Sequence, residues 1–514
     1  MTMRRLLTIT FASLLLSSAT RADVGLTIYS SADPAGFDPQ QFIAQNRQGY
    51  DANSAWQVPG FGVVRDSRTL DLQPGIQDVP FTDVAQFIDP TTVSLVDLSK
   101  GDPLTVLEQT FKFDLVSPDK LLEKYLDQTI TVNVPRGDEV EKVTGKLLSA
   151  NQGRLVLMTD KGLRIAPGSG DVQLGELPAG LLTKPTLVWK LNAPAAGQRQ
   201  VRTTYQTDGI TWRADYNLIL NAQDTAADLG AWVTIMNLSG ATYADANLKL
   251  IAGDVQRIQP PQTLMGRRRG VPTFSLEEAL VAPGFQEKSF FEYHLYTLPR
   301  KTTIADNATQ QIALFPTVSD VKVNKVLVYY GLPDASHWVF PSPQIDRDLG
   351  NDSNKKVDVY IRFDNKENNR LGIPLPKGKV RVFKKDDADG ALEFIGEDVI
   401  DHTPKNQTVL VKIGQSFDVT GQRTITDFKS SADARRDAVA KGDWIEETIR
   451  ITLKNAKDQA QDVIVKENLY RWVNWEIIKH SDDFTKIDAR TIHFDAAVPA
   501  EGEKTLEYTV RYTW

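Results

Sequence analysis

The chain has 514 residues, 41% of them hydrophobic and 24% charged, and a formal net charge of −7. That length and composition describe a folded protein with room for roughly three or four domains and substantial cores. The acidic balance argues against general nucleic-acid binding, and the absence of cysteine excludes disulfides, thiolate metal sites and thiol nucleophiles.

The first residues read as an export signal. Arg4 and Arg5 form a basic start, 6–16 ("LLTITFASLLL") is an apolar run, and "SSATRA" supplies small residues, with cleavage expected after Ala22 or Ala19. No cysteine follows the run, so a lipoprotein anchor is not expected. Loss of Arg4, Arg5 and Arg21 takes the charge from −7 to −10. No later stretch approaches ~20 continuous apolar residues, so the mature chain is expected to be periplasmic or secreted, without a transmembrane segment.

Beyond the leader, short runs alternate apolar and polar residues between Gly, Pro, Asn and Asp: "RQVRTTYQ", "WRADYNLIL", "KVDVYIRF", "ETIRITLKN" and "KTLEYTVRYTW". Period-two alternation predicts antiparallel strands. The expected fold is all-β, with several immunoglobulin-like β-sandwich domains, a small SH3-like barrel and few short helices. Residues 23–126 form an N-terminal β domain with a loop-rich insertion at 31–60. Within it, 117–126 is the best helix: Ser117 caps it, Pro118 takes the first helical position, and Leu121, Leu122, Tyr125 and Leu126 share a face. Residues 127–184 read as the barrel. Sandwiches follow at 185–300, 301–428 and 442–514, with minor helices at 276–281 and 432–440.

"KKDDADGALEF" gathers Asp386, Asp387 and Asp389 before Gly390. A calcium loop needs its glycine at the sixth position, but here the glycine comes too early for Asp387 to be position one, and no entering helix precedes it. A hairpin turn with Gly390 at positive φ is the expectation, flanked by strands carrying Val380, Val382, Leu392 and Phe394. Downstream, Glu397 and Asp401 fall on one strand face, Asp398 and His402 on the other, and Pro404 ends the run. In "EYHLY", Glu292, His294 and Tyr296 are expected on one strand face, a row able to hold a sugar or a metal. "RWVNW" places Trp472 and Trp475 on a bent segment suited to carbohydrate contact, although such rings also fill cores. The candidate binding residues are therefore Glu292, His294, Tyr296, Asp398, His402, Trp472 and Trp475. No HExxH, GxSxG or phosphate-loop motif occurs; no catalytic set, metal site or cofactor is expected. The basic loop Arg267–Arg268–Arg269 could touch anionic glycans or lipid phosphates. The final strand alternates up to Trp514, as outer-membrane barrels can, but polar residues on both faces of many strands favour a sandwich.

Several ordered blocks, "KPTLVWKL", "YQTDGITWRADYNLIL", "AWVTIMNLSGATYADANLKLIAGDV", "FEYHLYTLPRKTTIADNATQQIAL", "FIGEDVIDHTP", "IGQSFDVTGQR" and "VPAEGEKTLEYTVRYTW", resemble a bacterial family of exported proteins of unknown function whose better-known relatives carry the name mucoidy inhibitor A. The likeness covers roughly 185–514, with a weaker continuation upstream. It implies an envelope-associated, all-β protein and brings no reaction and no catalytic residues. The chain departs from that family in the 31–60 insertion and in lacking a long coiled-coil insert. The sequence supports a binding or structural module with an envelope protein or glycan as partner. The alternative is an envelope hydrolase acting on glycans or peptides through carboxylates; converging buried acids would separate the two.

Overall fold

A computed structural model describes residues 20–30, 42, 58–112, 114, 116–136, 139–151, 153–168, 171–176, 178, 180–253, 255, 284–351, 353–386, 388–431 and 442–514. The expected leader core, most of the 31–60 insertion, the 267–269 loop, the helices at 276–281 and 432–440, and Asp387 lie outside these. Among the described residues, 65% lie in strands and 4% are helical, so the fold is all-β with several separate sheets. No helix among the described residues is long and apolar enough to cross a membrane. The helix Pro118–Lys124 forms where expected: the Ser117 hydroxyl accepts the Lys120 N–H at 3.3 Å, satisfying one of the first turn's free donors.

Among the described residues the strands assemble four sheets. Five strands between Thr129 and Gln173 make a small sheet with its own core of Tyr125, Ile130, Val132, Leu147 and Leu157. The remaining sheets interleave distant parts of the chain. Thr20–Tyr29 pairs parallel with Tyr243–Ala252 and antiparallel with Phe61–Leu72. Thr186–Ala193 lies between Gly75–Thr82 and Thr105–Lys112. Ile210–Leu220 pairs parallel with Gly378–Lys385. Strand pairs thus run across the boundaries expected between the N-terminal domain, the 185–300 sandwich and the 301–428 sandwich. The hydrogen-bond ladder, more than local punctuation, decides which segments share a core.

Two strands of 23 residues each, Ala308–Tyr330 and Thr408–Ser430, pass through both large cores. On the first, Ile312, Leu314, Val321 and Val323 enter the larger core, whereas Leu327 and Tyr329 enter the C-terminal one. Val409 and Val411 against Val419 repeat the division on the second. Between these two strands runs Lys356–Asp364, hydrogen-bonded on both sides. Its Val357 faces the C-terminal core, and Ile361 and Phe363 face the larger one.

The aspartate-rich stretch is a hairpin turn. Gly378–Lys385 and Leu392–Ile400 pair up to Lys385↔Leu392. Gly390 has φ of +76° and its N–H donates to the Asp386 carbonyl at 2.9 Å. The carboxylates of Asp386 and Asp389 accept the N–H groups of Ala388 and Ala391, both at 2.8 Å, which occupies them within the turn. The apolar expectation holds for one strand only. Val380 and Val382 are buried, while Leu392 and Phe394 stay 47% and 50% exposed, because their strand lies at the end of its sheet beyond a register shift at Val382/Phe383.

Candidate functional site

The seven residues singled out from the sequence do not gather into one site. Glu292 is not on a strand. It sits in the turn between Gln286–Phe290 and Tyr293–Thr297, where Phe291 takes φ of +57°, so it cannot share a strand face with His294 and Tyr296. His294 Nδ1 lies 2.7 Å from Glu287 Oε1 across the same hairpin. Tyr296 is 4% exposed; its hydroxyl donates to the Pro374 carbonyl at 3.1 Å, its ring meets Trp212 edge-on, and burial holds its pKa well above the usual phenol value. Tyr296 is a core residue, and the Glu–His–Tyr row does not exist.

Asp398 accepts the N–H groups of Val399 at 2.9 Å and Lys412 at 2.7 Å. His402 Nδ1 accepts the Lys377 N–H at 3.1 Å beside the Leu375↔Thr403 bridge. Trp472 and Trp475 are half-buried against the C-terminal core. Trp475 Nε1 donates to the Ala489 carbonyl at 2.7 Å, and Lys486 Nζ stands 4.4 Å from its ring centre, so the Trp475 indole does not form an open platform. Among the described residues, no three His, Asp or Glu side chains stand where they could hold a metal ion.

A different place does offer a site. A cleft of about 600 Å³ opens where the C-terminal ends of Ala308–Tyr330 and Gln461–Asn468 meet Lys356–Asp364 and the turn before Thr491–Val498. Its wall carries Tyr330, Asp358, Tyr360, Lys466, Asn468 and Arg490. Strand alternation puts them there: Val357 and Ile361 point into the cores, so Asp358 and Tyr360 point out. Val463 and Val465 are buried in the same way, which turns Lys466 outward.

The charges in the cleft are tied in place. Lys412 Nζ donates to Asp358 Oδ2 at 2.6 Å, and through its main-chain bond Lys412 links Asp398 to the rim. Asp488 Oδ1 accepts the Arg490 N–H at 2.7 Å; that bond, with help from Thr491, outweighs desolvation and holds the carboxyl below the usual range. Arg490 Nη2 donates to the Trp338 carbonyl at 2.6 Å. Lys466 Nζ lies 5.6 Å from the Tyr330 ring centre and has no carboxylate within 4 Å among the described residues. Burial raises the pKa of Tyr330 to about 12 and raises that of Tyr360 also. Both tyrosines therefore remain neutral donors at physiological pH.

Chemically, the cleft offers ring faces, an amide, two cations and two carboxylates at fixed positions. One cue lay in the sequence: "KVDVYIRF" sets Asp, Tyr and Arg on one face of a strand. The partners that close the cleft come from more than a hundred residues downstream, and nothing local announces them. No protein-family model matches the chain, and no curated protein matches it significantly.

Proposed function

We propose that this chain is an exported protein of the bacterial envelope that binds a glycan, without chemical turnover, in the cleft walled by Tyr330 and Tyr360. The basic, apolar and small-residue order of 1–22 supports export. The observation that carries the binding reading is the cleft wall itself. Aromatic faces stand beside fixed, mixed-sign hydrogen-bonding groups, the combination that suits rings edged with hydroxyls. Two carboxylates in one cleft, Asp358 and Asp488, are the feature a hydrolase would need. Asp488 stays ionised and Asp358 is held by Lys412 at 2.6 Å, which favours orientation of a ligand over proton transfer.

The test is a glycan array carrying envelope saccharides, probed with the purified mature chain and with Tyr360→Ala. Retention by the wild type that falls at least tenfold in Tyr360→Ala is the expected result. Equal retention by both proteins, or none by either, would end the reading.

A further inference from the structure

The cleft does not stand alone on its strand. Asp358, Tyr360, Arg362 and Asp364 alternate along Lys356–Asp364, opposite the buried Val357, Ile361 and Phe363, so all four share the outward face. At the far end of that face lies a second polar cavity, of about 480 Å³, lined by Lys322, Asn324, Arg362, Asp364, Asn368 and Thr408. Neighbouring strands continue the surface: Asn324 is paired with Arg362 and Lys412 with Tyr360. From Asp358 to Asp364 the strand spans about 20 Å at the usual rise per residue. Tyr360 and Arg362, adjacent positions on this face, join one cavity to the other.

We propose that the two cavities are successive subsites of one groove, and that the ligand is an uncharged or zwitterionic sugar chain of several rings lying along Lys356–Asp364. The inference rests on the glycan reading of the first cleft and adds the chain-like form and charge class of its ligand. Three observations select that ligand. The groove is longer than a single sugar. Cations and carboxylates interleave along it, Asp358 beside Lys412, Asp364 beside Lys366 and Asp488 two residues from Arg490, so it presents no unbroken cationic track to a polyanion. The strand beneath is hydrogen-bonded on both sides, so an extended peptide finds no free main-chain edge to join. Recognition must then come from side chains. Arg362 is exposed and has no ion-pair partner within 4 Å among the described residues, which leaves its guanidinium free for the ligand.

The experiment uses chitobiose and chitohexaose as neutral probes of defined length, measured by calorimetry against the mature chain, Arg362→Ala and Tyr360→Ala. Chitohexaose should bind at least tenfold tighter than chitobiose. Arg362→Ala should erase that gain, and a melting temperature equal to that of the wild type shows that the variant is folded. Tyr360→Ala should weaken both. Equal affinity for the two lengths, or an Arg362→Ala variant that keeps the gain, would overturn the extended groove and leave the first cleft standing. Failure of both probes to bind would overturn the glycan reading and the inference with it. Tighter binding of heparin than of chitohexaose would overturn the assignment of an uncharged chain.

Discussion

Lys466 and Glu467 are neighbours on one strand, yet they belong to opposite electrostatic regimes. Lys466 faces the cleft. Glu467, 2% exposed, faces the C-terminal core, where its Oε2 accepts Arg423 Nε at 2.9 Å and the Tyr508 hydroxyl at 2.6 Å. A second sealed pair stands beside the first: Arg471 Nη2 meets Glu447 Oε1 at 2.7 Å. The two arginines also clamp a loop, Arg471 reaching the carbonyls of Gln344, Asp346 and Leu349, and Arg423 that of Gly350. Burial opposes the charge on Arg423, but the Glu467 carboxylate more than restores it, keeping the guanidinium proton held well above the ordinary arginine value. Glu447 Oε2 and Glu467 Oε1 find no donor among the described residues, so charge pairing rather than full hydrogen bonding holds this cluster. On one side of the strand charge is spent on holding a loop; on the other it is left available to a ligand.

The sealed side should fail hardest. Glu467→Ala leaves Arg423 charged and unpaired in the core, a loss of about 3–5 kcal/mol for a buried pair broken on one side. Urea unfolding of the protein measures it; a loss under about 1 kcal/mol would show that water reaches the cluster and would dissolve the contrast.

An intermediate case sits across from Lys466. His493, its paired residue, is partly buried, and burial together with the Lys466 charge lowers its pKa from 6.5. Neutral imidazole is therefore favoured in the folded state, and the unfolded chain binds the proton more readily. The resulting stability is fully present above the unfolded value near 6.5 and drains away as pH falls from there through the folded value. A melting profile between pH 7 and pH 5 should be flatter for His493→Gln than for the wild type. Identical slopes would remove histidine from the acid response.

The smallest effect belongs to the cleft. Lys466→Ala should change stability by no more than about 0.5 kcal/mol, because a solvated charge contributes little to folding, while weakening ligand retention. A large drop in stability would mean that Lys466 belongs to the architecture and not to the site.

Much of this was legible in the chain, but unevenly. The strands at 186–193, 210–220, 356–364 and 502–513 follow period-two alternation, which one residue in two can carry by itself. The Asp386–Gly390 turn was legible because only a left-handed residue closes that loop. The turn at Phe291–Glu292 was not, since an aromatic residue at positive φ is rare and "FFEYHLY" reads as one strand. The site was the least legible part. Asp358, Lys466 and Arg490 look like ordinary polar positions until the parallel pairing of Tyr330 with Lys466 brings them together, and local sequence carries no signal for a pairing across that separation.

The pairing of Thr20–Tyr29 with Tyr243–Ala252 has a kinetic price. Asp23 and Asn247, bonded at 2.9 Å, are 224 residues apart in the chain. During synthesis the first strand has no parallel neighbour until Ala252 has emerged, and closing so long a loop is slow. For that interval Leu26 and Ile28, fully buried in the finished sheet, remain uncovered. A delay of this kind makes the first strand the segment on which a holding chaperone would act.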